Sequence, residues 1–172
     1  MVNVGEIAGL TGREMSQVIH YSISLKSAHT RPDNAIREAM GLSKNQKILR
    51  PEFSQNQEKV LLVIIGKWVN RISYPMNLME IAGLSDAAVD TVVQYCDDVT
   101  KAQASTSSII ELMGVSQNSK IPRPKFNQNQ EKALFIFLGI LLEDGRRSRE
   151  NDDEGHETGD NACGKDGNIV RR

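Results

Sequence analysis

Residues 50–59 read RPEFSQNQEK and residues 123–132 read RPKFNQNQEK: the same ten letters, 73 residues apart, with two changes. The agreement extends both ways. VLLVIIGK (60–67) stands against ALFIFLGI (133–140), and EAMGLSKNQKIL (38–49) against ELMGVSQNSKIP (111–122). EIAGLT (6–11) matches EIAGLS (80–85) at an offset of 74, so one residue was gained or lost between the blocks. The repeat thus runs from about residue 2 to 71 and again from about 76 to 142. Periods of roughly 20–50 residues mark solenoids. A longer period present only twice implies a duplicated small domain, with repeats at 1–74 and 75–142 and a tail at 143–172.

The letters of each copy read as helices. In DAAVDTVVQYCDDVTKA (86–102), Val89, Val92, Val93 and Cys96 fall at helical spacing, and Met15, Val18, Ile19 and Ser22 take the same places in the first copy. Thr11 and Ser85, the latter followed by Asp86, suit N-caps, and Gly9 and Gly83 suit the preceding turn. A short helix follows, DNAIREAM or SSIIELM, stopped by Gly41 or Gly114. The connectors SKNQKILRPEF and SQNSKIPRPKF contain proline and read as extended arms. The repeated QNQEK opens a long helix, with Ser54 and Asn127 as caps and Gln57 and Gln130 three residues on. The body of that helix is apolar nearly all round and belongs in a core, and Trp68 joins it at helical spacing from Ile64, Ile65 and Ile72. The expected architecture is all-α: two tandem helical repeats, then a tail from Glu143 whose charge, glycine content and lack of large apolar residues predict disorder.

Charge sets no strong direction. The chain carries net −1, and the tail holds nine acids and six bases, leaving 15 bases and 13 acids in residues 1–142. A near-neutral body neither demands nor forbids a nucleic-acid partner. Two cysteines, Cys96 and Cys163, lack metal-ligand spacing and are too few for a disulfide framework, so a reducing cytosolic setting is expected. The N-terminus MVNVGEIAGL lacks the pattern of a secretory signal, and the longest apolar run, 133–142, is too short to cross a bilayer. No phosphate-binding glycine loop, HExxH or cysteine cluster is present, and the histidines His20, His29 and His156 are scattered. The expectation is a non-enzyme with no cofactor, metal or small-molecule substrate.

In VGEIAGLTGREMSQVIHY (4–21), Val4, Ala8, Leu10, Met15 and Val18 supply the contacts of two crossing helices, Gly5 the small residue at the crossing and Gly9 the turn. The second copy matches with Leu78, Ala82, Leu84, Val89, Val92 and Gly83, but puts Met79 where a small residue is expected. This pattern resembles the helix-turn-helix of phage-repressor-like regulators, in which AG[LV][ST] closes the first helix. The short helices ending in MGLS and MGVS resemble that family's next helix, and about 40 residues per copy are covered. The resemblance implies a regulatory DNA-binding protein, cytoplasmic or nucleoid-associated, whose second helix enters the major groove.

On that helix Thr11, Arg13, Ser16, Gln17 and His20 would face DNA, with Arg13 or Gln17 able to make bidentate contacts to bases. The second copy offers Ser85, Asp86, Asp90, Thr91 and Gln94, whose carboxylates repel phosphate, so the first copy is the expected reader. Lys44, Lys47 and Arg50, with Lys120, Arg123 and Lys125, would put the arms on phosphates. RNA in place of DNA, and a homo-oligomer, stay open. In the resembling family a long helix precedes the helix-turn-helix, but the first copy has none. The C-terminal helix is therefore expected to pack back on the N-terminal unit, within the chain or in a swapped dimer. The alternative is a helical protein-interaction or self-assembling scaffold, binding through a face such as Ile109, Ile110 and Leu112.

Overall fold

The computed structural model describes residues 3–43, 46–103, 105–115 and 121–158, with side chains of the last helix described as far as Asp144. The described residues form α-helices and no strand: α1 (Val4–Ile7), α2 (Gly12–Ala28), α3 (Pro32–Ala39), α4 (Gln55–Arg71), α5 (Leu78–Ala82), α6 (Asp86–Ala102), α7 (Ser105–Leu112) and α8 (Gln128–Thr158). None is long and apolar enough to cross a membrane.

The predicted caps set the helix starts. Thr11 accepts from the Glu14 amide and Glu14 returns the bond, and Ser54 and Gln57 do the same at the head of α4. Asn127 and Gln130 repeat the exchange at α8. Gly9 and Gly83 both adopt positive φ, which is why glycine stands there in each copy. Helix α8 continues past Leu142 as far as Thr158. The rest of the segment read as a disordered tail, 159–172, lies outside the described residues.

One core runs through both halves. Helix α4 packs on α2 and α3, α8 packs on α6 and α7, and α4 and α8 lie along each other. They cross at Gly66 and Gly139, where backbone meets backbone. A Cβ on Gly66 would overlap the Ile136 carbonyl, and one on Gly139 the Val63 carbonyl. The far ends of these two helices are also tied together: Asn70 donates to Asp144 at 2.8 Å, and the Arg71 guanidinium lies 3.4 Å from Glu143.

Three expectations about packing need correction. The C-terminal helix does not take α1 and α2 as its bed, because α4 already lies on α2; α8 meets the first half through α4 and the end of α3. The buried stripes of α2 and α6 are rotated from the expected ones. Val18, Tyr21, Ser22 and Leu25 are buried, with Val92, Tyr95, Cys96 and Val99, while Ile19 and Val93 are 41% and 38% exposed. The tyrosines bury their rings at the cost of those aliphatics because each ring meets a phenylalanine edge-on, Tyr21 with Phe53 at 5.5 Å and Tyr95 with Phe126 at 5.7 Å. Ile109 and Leu112, offered as a partner-binding face, are core residues. Trp68 packs against the core with Lys26 over its ring at 5.7 Å.

Candidate nucleic-acid interface

The α1–α2 corner is held from behind by the repeated decapeptide. Asn56 donates to the Ala8 carbonyl at 3.0 Å and Gln57 to the Glu14 carbonyl at 3.2 Å. In the second half Asn129 grips Ala82 and Gln130 grips Ala88 at the same distances. The side chains of the first turn of each long helix thus set the angle between the two helices before it.

With the corner fixed, the outer face of α2 is defined. Arg13, Ser16, Gln17 and His20 are all exposed there, beside Thr11, whose hydroxyl is occupied as the N-cap. Gln17 is partly engaged, its amide oxygen accepting from Gln57 at 3.1 Å. That weakens its case as a bidentate reader, which needs both ends of the amide, and leaves Arg13 as the better placed of the two. The same edge carries Ile23, 53% exposed, next to Ile19.

The counterpart face on α6 exposes Asp86, Asp90, Thr91 and Gln94, with Gln94 donating to Asp98 at 2.9 Å. Ala87 stands where α2 has Arg13. The acidic difference seen in the sequence is therefore a difference between two surfaces.

The arms depart most from expectation. The guanidinium of Arg50 donates through Nε and Nη2 to both oxygens of Glu58, through Nη1 to the Tyr21 hydroxyl and the Glu38 carbonyl, and through Nη2 to the Ala39 carbonyl. Arg123 does the same with Glu131, Tyr95, Glu111 and Leu112. An arginine has five N–H donors, and all five are engaged in each case. Both arginines lie 5.4 Å over their tyrosine rings. The expectation that they meet phosphate is corrected: they lock the C-terminal end of α3 or α7 to the head of the long helix that follows. Burial disfavours the charge on Arg50, but Glu58 outweighs it and keeps the guanidinium protonated. The side chains of Lys47 and Lys125 are exposed; Lys44 and Lys120 lie outside the described residues.

Behind each arm lies a buried carboxylate that the sequence reading did not single out. Glu38, fully buried, accepts from the Lys47 and Ile48 amides at 3.2 and 3.0 Å and pairs with His29 Nε2 at 2.7 Å. Burial raises its pKa, but these bonds outweigh it and hold the carboxyl below its ordinary range. Glu111 accepts from the Ile121 amide at 3.0 Å and from Gln103, which replaces histidine. The available signal was the repetition itself: tyrosine, glutamate, arginine and glutamate recur as Tyr21, Glu38, Arg50, Glu58 and as Tyr95, Glu111, Arg123, Glu131. Cys96 is buried, its thiol pushed up to about 12 by that burial, which makes it unreactive. Among the described residues no group of three His, Cys, Asp or Glu side chains gathers to hold a metal ion.

No family model, no curated protein and no solved structure matches this chain.

Proposed function

We propose that the chain is a DNA-binding protein of regulatory type, working in the cytoplasm or on the nucleoid. In this reading α2 enters the major groove, Arg13 reads a guanine edge, and Ser16, Gln17 and His20 contact bases or phosphates. The observation that carries it is the outward edge of α2: a capped helix start that exposes Arg13, Ser16, Gln17 and His20 together, on a corner braced by Asn56 and Gln57. The footprint is small, because Arg50 and Arg123 are engaged internally and Lys47 is the described base left on the first arm.

The test is binding to a labelled random-sequence duplex as salt is raised, alongside Arg13→Ala. Counterion release contributes a log–log slope of about −0.9 per phosphate neutralised, so Arg13 and Lys47 together imply roughly −2. Binding that survives Arg13→Ala unchanged, or is absent at low salt, rejects the proposal. A duplex RNA in parallel separates the two nucleic acids.

A second reading, the protein-interaction or self-assembling scaffold, is favoured by Ile19 and Ile23, exposed four residues apart on the same helix. It predicts concentration-dependent self-association by light scattering, lost in Ile23→Lys, with no duplex binding.

A further inference from the structure

The two corners of the chain are packed differently where their helices cross, and a groove lies at the second. In the first half Gly5 leaves room for Met15, whose sulfur lies 2.7 Å from where a Cβ on Gly5 would stand. In the second half both positions change: Met79 replaces Gly5 and Val89 replaces Met15. The bulk has moved from the second helix of the corner to the first, where Met79 is 45% exposed. A groove of about 410 Å³ lies there, with Met76, Met79, Val89 and Phe137 among its apolar walls and Asp86 and Asp90 on its polar side.

The charge changes run the same way. Gly12, Arg13 and Ser16 on α2 correspond to Asp86, Ala87 and Asp90 on α6, so α6 lacks one cation and gains two carboxylates, both of which line the groove. A second depression along α6 shares Asp90 and adds Asp98. An apolar floor with methionine walls adapts to aliphatic side chains, and carboxylates at the edge favour cations beside them.

The geometry points to a docking groove at the α5–α6 corner for a basic amphipathic helix of a partner protein, its aliphatic stripe on Met76, Met79, Val89 and Phe137 and its arginines or lysines against Asp86 and Asp90. The described residues offer no strand edge for an extended peptide to join. Recognition therefore falls to side-chain anchors at i, i+3, i+4 and i+7. The assignment does not depend on what α2 binds: the reader face and this groove stand on different halves of the repeat.

The probe is a fluorescein-labelled synthetic peptide of roughly 15 residues, long enough for helix to form on a surface, with leucine at i, i+3, i+4 and i+7 and arginine between. The comparison peptide carries glutamate in place of arginine. Anisotropy titrations use the full chain, the double variant Asp86→Asn with Asp90→Asn, Met79→Gly and Arg13→Ala. All four positions are exposed, so each variant is expected to fold.

The expected result is binding of the arginine peptide only, weakened about tenfold by the double variant, since two partly exposed ion pairs together supply on the order of 1.4 kcal/mol. Met79→Gly weakens it severalfold and Arg13→Ala leaves it unchanged. Equal binding of both peptides, or affinity indifferent to the double variant, overturns the proposal. So does indifference to Met79→Gly with complete loss in moderate salt, which would mean general attraction of cations to α6. Displacement of the peptide by excess duplex, together with sensitivity to Arg13→Ala, would place it on α2 and also overturn it.

Discussion

Lys59 on α4 donates to the carbonyl of Met113, 54 residues further along the chain, at 2.7 Å. Lys132, its equivalent on α8, donates to the carbonyl of Met40 at 2.6 Å. Each long helix thus caps the short helix of the other half, beside the other half's arginine–glutamate lock. Burial lowers the pKa of both lysines, with the neighbouring arginine adding to it. Lys59→Met removes the donor and leaves a helix-end carbonyl short of a partner. It should lower stability by about 1–2 kcal/mol, read as a shift of the urea midpoint at constant slope. Lys132→Met should do the same.

Arg50→Lys keeps the charge but replaces five fixed donors with three mobile ones. The Glu38 and Ala39 carbonyls, the Tyr21 hydroxyl and Glu58 cannot all be served, so a loss of about 2–3 kcal/mol is expected. Arg123→Lys should match it. Arg13→Ala should leave the melting temperature unchanged, so melting curves of these variants separate the internal arginines from the exposed one.

Gly139→Ala should prevent α4 and α8 from closing, because its methyl would meet the Val63 carbonyl and backbone cannot move aside cheaply. A loss above about 4 kcal/mol, seen as an unfolded circular-dichroism baseline or a collapsed melting temperature, is expected. Gly12→Ala is the control. No atom lies within 4 Å of a Cβ there, and alanine at the start of α2 should be neutral or stabilising by up to about 1 kcal/mol.

Acid should act through Glu38. Its folded-state pKa lies below its ordinary value of 4.5. Its contribution is therefore complete above that value and is lost as pH falls through the folded pKa. Melting temperatures measured from pH 6 down to pH 3 should fall below about pH 4.5, and Glu38→Gln should flatten that part of the profile while lowering stability at neutral pH.

Removing residues 126–172 takes away α8 and bares the Gly66 face of α4. The first half should then lose cooperative unfolding, although it keeps its own caps and its Arg50 lock. A truncated chain with a sharp thermal transition and protected α2 amides in hydrogen exchange would refute this.

The sequence by itself determined the local structure and the internal repeat. Caps at Thr11, Ser54, Ser85 and Asn127, glycines at positive φ, and the start of α4 follow from nearest-neighbour chemistry, which a string of letters displays directly. The polar edge of α2 was legible for the same reason, since helical spacing alone brings Arg13, Ser16, Gln17 and His20 to one side. What only the tertiary structure decided were the partners far along the chain. Arg50 and Arg123 read as free cations on arms because their acceptors come from three separate segments. Gly66 and Gly139 carry no local signal of their role, because the helix that needs each of them flat lies 73 residues away. Ile19 and Val93 read as core because apolar spacing fixes a stripe but not its rotation, which was set by tyrosines reaching the phenylalanine and arginine of the arm. The ten repeated letters were conspicuous in the sequence, but the work they do is almost entirely long-range: gripping a corner, locking an arm and capping the other half, where only the packed chain brings donor and acceptor together.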